Sequence, residues 1–354
     1  MNFFNSRGDA DDANPVRSHG DAPSGRGLLY SARLLFEKAG VLPVMLVAAL
    51  IIFSMMSPKF LTVENLVNLL RQSVYLVLVS LGQMLALVTG GFDLSVGTTV
   101  AVTSVVSSLV MSMIVAVHPD AVGLAIFTGC AAGTLAGAAI GLVNGIGVAR
   151  FGVSPFIMTM GMQSVGFGIA LFLTDGVPVS GLPSSFGEIF GFGSLFGVPV
   201  PVIITFAILV VFGLVMDRTA FGRHFYAVGG NARAATLSGI NTRTVLVQTY
   251  VLCALLSALS GLLTTARVSS GEANIGGSLA LESIAACVIA GVSLRGGVGR
   301  VSLVVLGAIF IRLIQNGMNL GDVGSYLQTV VLGALLIIAV LADQLRVKSM
   351  TRKS

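Results

Sequence analysis

The sequence predicts an all-α, polytopic integral membrane protein of about ten transmembrane helices, with both termini cytoplasmic. Three observations predict it. Of 354 residues, 55% are hydrophobic and 10% charged, with a mean hydropathy of +0.96. Soluble domains carry about 25% charged residues, so this chain has too few to cover a water-facing surface. Charge-poor apolar stretches of bilayer-spanning length recur along it. Finally, Lys and Arg divide unequally between alternate connections, as they do in membrane proteins of fixed orientation.

In chain order, residues 1–38 mix acids, bases, Gly and Pro, and read as a largely disordered cytoplasmic tail. An amphipathic turn at 28–38 (LLYSARLLFEK) ends it. The tail does not read as a signal peptide, because the first apolar run starts after Lys38 and no small-residue cleavage site follows. A membrane domain is expected over 39–345. Its charge-free stretches are 39–58, 72–92, 94–119, 121–149, 151–174, 189–216 and 244–266. Three more follow: 273–294 containing Glu282, 301–321 containing Arg312, and 323–342. A basic cytoplasmic tail, 346–354, closes the chain. With the N-terminus inside, the inner segments hold 16 Lys and Arg and the outer ones hold three, Lys59, Arg71 and Arg267. One span more or fewer would invert half the connections and spoil that division. The outer loop 175–198 lacks Lys and Arg and is rich in Gly and Phe (GEIFGFGSLFG). It is either a re-entrant or interfacial segment or a plain extracellular loop.

Phe221–Arg243 (FGRHFYAVGGNARAATLSGINTR) is a polar, basic island between two long apolar stretches. Within it ARAATL, 232–237, reads as a short helix with Asn231 as N-cap and Gly239 as its stop. Such a helix standing clear of a membrane offers a surface for a soluble partner. The net charge of +5 and pI of 9.4 do not point to nucleic acid, since the basic residues lie in short loops and tails.

The fourth stretch carries Gly129, Gly133, Gly137, Gly141 and Gly145, four residues apart, which bares one helix face for close packing. Asn144 nearby is placed to hydrogen-bond across a helix contact. GGFDLSVG, 90–97, sets Asp93 and Ser95 at the start of the third helix, either as caps or as residues on a polar path. Glu282 could line such a path, pair with Arg267, or pair with a neighbouring helix for structure alone. Arg312 faces either a watery path or a partner such as Glu282. The glycine-rich 291–300 lacks GxxxxGK[ST] and any preceding strand, so it reads as a tight cytoplasmic turn rather than a phosphate loop. Cys130, Cys253 and Cys287 lie in apolar stretches without metal spacing, and read as inert core thiols. His19, His118 and His224 are scattered, and no paired carboxylates or GxSxG elbow exist. The sequence therefore offers no catalytic set and no metal site.

Four stretches together carry a resemblance: GGFDLSVG (90–97), NGIGVARFGVSPFIMTMG (144–161), GRHFYAVGGNARAATLSGIN (222–241) and SLALESIAACVIAGVSLRGGVGR (278–300). In this order the chain resembles, over about 40–345, the permease subunits of bacterial ABC importers for monosaccharides of the ribose, xylose, arabinose and galactose group. The resemblance implies a helical permease bundle in the inner membrane. It also implies a second permease copy or a paralogue, cytoplasmic ATPase subunits, and a periplasmic sugar-binding protein. ATP and Mg would sit on the partner ATPase and no cofactor on this chain. The loop 217–243 would be the coupling loop, with Gly230, Asn231, Arg233, Ala234, Ala235, Leu237, Ser238 and Gly239 at the ATPase. Ala234, Ala235 and Gly239 match the family's Glu-Ala-Ala…Gly pattern, while Arg233 stands where Glu is usual. Ala280 departs from an acid common in relatives, and Glu282 keeps the other acidic position. The candidate translocation path holds Asp93, Ser95, Asn144, Glu282 and Arg312. The same motifs suit an ABC permease for another small solute, such as a branched-chain amino acid or a polyol. An ion-coupled carrier would instead need prominent intramembrane acids and helices broken at midplane.

Overall fold

The computed structural model describes residues 42–351. The 1–38 tail with its turn at 28–38, and residues 352–354, lie outside the described residues. The helices are α1 (Leu42–Met56), α2 (Val63–Val88), α3 (Val96–Val117), α4 (Val122–Phe151) and α5 (Pro155–Thr174). A helical turn, Ser184–Phe186, runs into a π-helical turn, Gly187–Gly191, and then a small antiparallel hairpin of β1 (Ser194–Leu195) and β2 (Val198–Pro199). There follow α6 (Val200–Arg218), α7 (Ala220–Gly230), α8 (Ala232–Leu237), α9 (Thr242–Val268), α10 (Leu279–Ile289), α11 (Val301–Leu320) and α12 (Ser325–Thr351).

Seven of these, α2 to α6 with α9 and α11, are long and apolar enough to cross a membrane. The permuted burial of those helices separates a core from a rim. The most apolar window of α2 is 89% buried, whereas those of α5 and α6 are 17% buried. A helix that is apolar all round but exposed over most of its surface is covered by lipid rather than by protein. Phe172 on α5 and Phe206 on α6 are among the outward-facing side chains. The chain is a multi-pass membrane protein.

Each of the ten expected stretches contains a helix, but three helices are short: α1, α10 and the apolar part of α12, Ser325–Leu341. The clearest departure is at 273–294. A single crossing was expected there, but only the 11 residues of α10 are helical. At 1.5 Å per residue it spans roughly 16 Å, about half of a 30 Å hydrocarbon core. Gly276 at φ +90° and Gly291 at φ +81° bound it. Two other boundaries move. The second helix starts at Val63, where the Thr62 side chain accepts from the Asn65 N–H at 3.3 Å, so it takes in Glu64 and Arg71. The sixth starts at Val200, because 184–199 folds into the two helical turns and the hairpin. The loop 175–198 is thus ordered structure, tied to residue 271 by paired Val179 and Gly271 backbone bonds of 2.9 Å.

The glycine stripe runs along the side of α4 that meets α3 and α9. A Cβ at Gly133 would press on the Thr103 carbonyl of α3, and one at Gly145 would lie 2.8 Å from the Val247 Cα of α9. Bare backbone at these positions lets three helices approach within van der Waals range.

Candidate functional site

At one end of the bundle, α7 and α8 stand beyond the long helices. Local hydrogen bonds explain why six residues hold a helix here. The Asn231 side chain accepts from the Ala234 N–H at 2.9 Å, which satisfies one of the free donors of the first turn. At the other end Gly239 takes φ +84°. Its N–H donates to the Thr236 carbonyl and that of Ile240 to the Ala235 carbonyl, both at 3.0 Å, the paired bonds of a Schellman stop. Asn241 then caps α9, accepting from the Thr244 N–H at 3.1 Å. Ala235 faces inward, while Arg233, Ala234 and Ser238 are exposed and Leu237 is 84% exposed.

α7 reaches back to the bundle. Its N-cap, Thr219, accepts from the Gly222 N–H at 3.1 Å. Its far end lies against the last turn of α2 and the 291–299 turn. Gly229 touches the Val88 carbonyl so closely that a Cβ would collide with it. The same carbonyl accepts from the Gly297 N–H at 2.8 Å. One turn earlier, the Tyr226 hydroxyl donates to the Gly299 carbonyl at 3.2 Å. Burial, with the Asp217 carboxylate nearby, pushes the Tyr226 phenol above its ordinary value, so it remains a donor.

A cavity of about 440 Å³ opens between α3, α5 and the approach to α10. Its walls are Gly97, Thr98 and Ala101 of α3, Met160, Gln163, Ser164 and Phe167 of α5, and the non-helical 273–277 with Ala280 of α10. The volume is in the range that accepts a small molecule, and a mostly apolar wall with few polar groups suits transient contact. Glycine makes the geometry possible. Gly276 and Gly97 stand backbone to backbone, and a Cβ at Gly276 would lie 2.7 Å from the Gly97 carbonyl oxygen. The non-helical strand before α10 is held along α3 by the Glu272 N–H, which donates to Ser104 Oγ at 3.1 Å. Irregular backbone inside a membrane bundle is tolerated only where it lines a cavity or is covered by protein, and 273–277 lines this one.

Beside the cavity lies a sealed polar knot. Asp93 Oδ1 accepts from the Ser95 N–H at 2.9 Å and from Ser95 Oγ at 2.6 Å, and Asn144 Nδ2 donates to Ser95 Oγ at 2.8 Å. All three are buried. Ser95 precedes α3 but makes no side-chain cap bond to it, so the pair does not cap the helix directly. Instead Asp93 organises the turn and Asn144 ties it to α4. Gln83, with its amide oriented to suit both partners, brackets the Asp93 backbone from α2. The second charged site is the pair of Glu282 Oε2 and Arg312 Nη2, 3.0 Å apart. Gln315 bridges them, accepting from Arg312 and donating to Glu282 Oε1 at 3.1 Å. Glu282 therefore pairs with α11 and not with Arg267, whose guanidinium lies over the Phe192 ring and donates to Asn68. The acid also sits in the first turn of α10, where the helix dipole favours it.

Residues 65–340 match the family model described as the permease component of a branched-chain amino acid transport system. That match covers well over half of the chain. The chain belongs to this family of ABC-transporter permeases. It is 36% identical over 325 residues to the ribose import permease protein RbsC of Escherichia coli K12, covering 90% of this chain and 97% of that one. It is 41% identical over 295 residues to RbsC of Bacillus subtilis, covering 83% and 89%. To the galactose/methyl galactoside import permease protein MglC of Escherichia coli K12 it is 36% identical, with 88% and 96% covered. No solved structure matches it.

The permease brings Asp93, Ser95 and Asn144 together, and Glu282 with Arg312, but none of the five lines the cavity. The polar groups that do line it are Thr98, Gln163, Ser164 and Asn274. Sequence reasoning missed them because it looked for charge. The available signal was the run Gly271, Asn274, Gly276 and Gly277, too rich in helix breakers for a continuous span. Among the described residues, no group of three His, Cys, Asp or Glu could hold a metal ion.

Proposed function

We propose that this permease is the membrane-spanning subunit of an ABC importer that carries a monosaccharide across a bacterial inner membrane. The α8 end faces the cytoplasm and the hairpin end faces the periplasm. A partner ATPase grips α8, a periplasmic binding protein delivers the sugar, and a second permease copy closes the open side of the cavity. The observation that carries this reading is the pairing of an exposed, doubly capped helix with a weakly polar cavity at the non-helical 273–277 before α10. Relatives that match over nearly their whole length are named as ribose and galactose import permeases.

In this reading α8 has no chemistry to perform and serves as a handle. Leu237 enters an apolar groove on the ATPase, and Arg233 pairs with an acid there. Thr98, Gln163, Ser164 and Asn274 replace water around the passing hydroxyl groups without holding them tightly. Strong binding at this point would slow release, so specificity falls to the binding protein.

The non-helical stretch before α10 also suits an ion-coupled carrier, since such carriers build sites at broken helices. Against this, Glu282 is paired with Arg312 and Asp93 Oδ1 accepts two bonds from Ser95. Uptake into proteoliposomes distinguishes the readings. The permease is reconstituted with its ATPase and binding protein, and labelled pentoses, hexoses, polyols and branched-chain amino acids are supplied. Monosaccharide uptake that needs ATP supports the proposal. Uptake of an amino acid or polyol alone moves the substrate class, and uptake driven by an ion gradient without ATPase overturns the ABC reading.

A further inference from the structure

Resting on the reading of α8 as the ATPase handle, we propose a rigid strut: α7, the 291–299 turn and α10 together carry the displacement of α8 to the cavity wall. Three observations make it. The first is a joint without side chains. Gly229 lies on the Val88 carbonyl, and a Cβ at Gly296 (φ +88°) would lie 2.7 Å from the Gly229 carbonyl oxygen. Gly297 (φ +74°) donates to Val88 at 2.8 Å. Backbone against backbone leaves no rotamers to absorb a push, so α7 cannot advance without moving the turn.

The second observation is that the turn is closed on itself. The Ser293 N–H donates to the Val298 carbonyl at 3.0 Å, and the Gly296 N–H to the Ser293 carbonyl at 3.1 Å. Gly291 ends α10 with the paired bonds of a Schellman stop, its N–H to Val288 at 2.9 Å and that of Val292 to Cys287 at 3.0 Å. The third is the length and place of α10. One end leaves this turn, and the other opens through Ala280 and Gly277 into the cavity. The Glu282–Arg312 pair and the packing of Gly307 on the Ala286 carbonyl fix α10 to α11, so the two move as one body.

Gly229 and Tyr226 are thus positioning residues that join the handle to the cavity. The test uses the full complex of permease, ATPase and binding protein, and reads sugar uptake and ATP hydrolysis separately. Tyr226→Phe removes the bond to Gly299 and Gly229→Ala pushes α7 off Val88. Both are expected to keep ATPase assembly and hydrolysis while uptake per ATP falls about tenfold. Because Gly229→Ala can also disturb folding, a second arm uses Tyr226→Cys with Val298→Cys on a Cys130→Ala background. A short bifunctional thiol reagent then fastens α7 to the turn. Tyr226→Cys removes the same bond and should lower uptake per ATP before fastening, and a strut that moves as one piece regains uptake when the cross-link replaces that bond. Uptake that does not rise on cross-linking would overturn the strut, as would normal uptake per ATP in both single variants. Failure of the ABC reading looks different, because the wild-type complex itself then shows no ATP-driven uptake.

Discussion

Two short helices, α8 and α10, are stabilised in opposite ways. α8 has six residues, nearly all exposed, and is held by an Asn cap at one end and a glycine stop at the other. α10 has 11 residues, and apart from Leu281 those on every side of it are buried or nearly so. Its N-cap residue, Ser278, makes no side-chain bond to it. Helices this short are marginal in isolation, so each needs outside support. For α8 the support is local in sequence, and for α10 it comes from α2, α11 and α12. In the proposed roles, a handle must keep its shape while its neighbours change, and a strut must be gripped along its length.

Substitutions can break or sharpen that contrast. The largest effect is expected at Arg312→Leu, which leaves Glu282 buried without its partner and costs about 3 kcal/mol. Thermal unfolding in detergent measures it. Adding Glu282→Leu should restore most of the loss, and strict additivity would refute the pairing. A smaller, local effect belongs to α8. Asn231→Ala and Gly239→Ala each cost about 1 kcal/mol, one through the lost cap and the other through the left-handed backbone. Hydrogen exchange over 232–240 should speed up roughly fivefold while the bundle melts unchanged. If the whole bundle melts lower, α8 is not the self-contained unit described here. The smallest stability effects, within about 0.5 kcal/mol, are expected for Leu237→Ser and Arg233→Glu. Both should nonetheless weaken co-purification of the ATPase, and only the Arg233→Glu effect should shrink with added salt.

The same contrast explains what the sequence made legible. Asn231, ARAATL and Gly239 announce α8 because cap and stop chemistry lies within nine residues of chain. The stripe from Gly129 to Gly145 announces a close helix contact, though not that α3 and α9 share it. α10 stayed hidden because hydropathy is blind to a break, and 273–294 is apolar enough for a crossing, although Glu282 was already among the partners expected for Arg312. Asp93 was visible as an expensive acid, yet its engagement by Ser95 and Asn144, 49 residues beyond Ser95, is a product of packing. The cavity is hardest of all to foresee, since its walls come from α3, α5 and the approach to α10.

The central claim is that what the ATPase does at α8 is felt at the cavity. The most direct measurement is thiol accessibility at Ser164→Cys and Asn274→Cys in the reconstituted complex, with an impermeant reagent applied from each side in turn. The account predicts that adding ATP exchanges the reactive side at both positions, and that Leu237→Ser abolishes the exchange while leaving the ATP-free pattern intact. Reactivity that ignores ATP while uptake continues would contradict it.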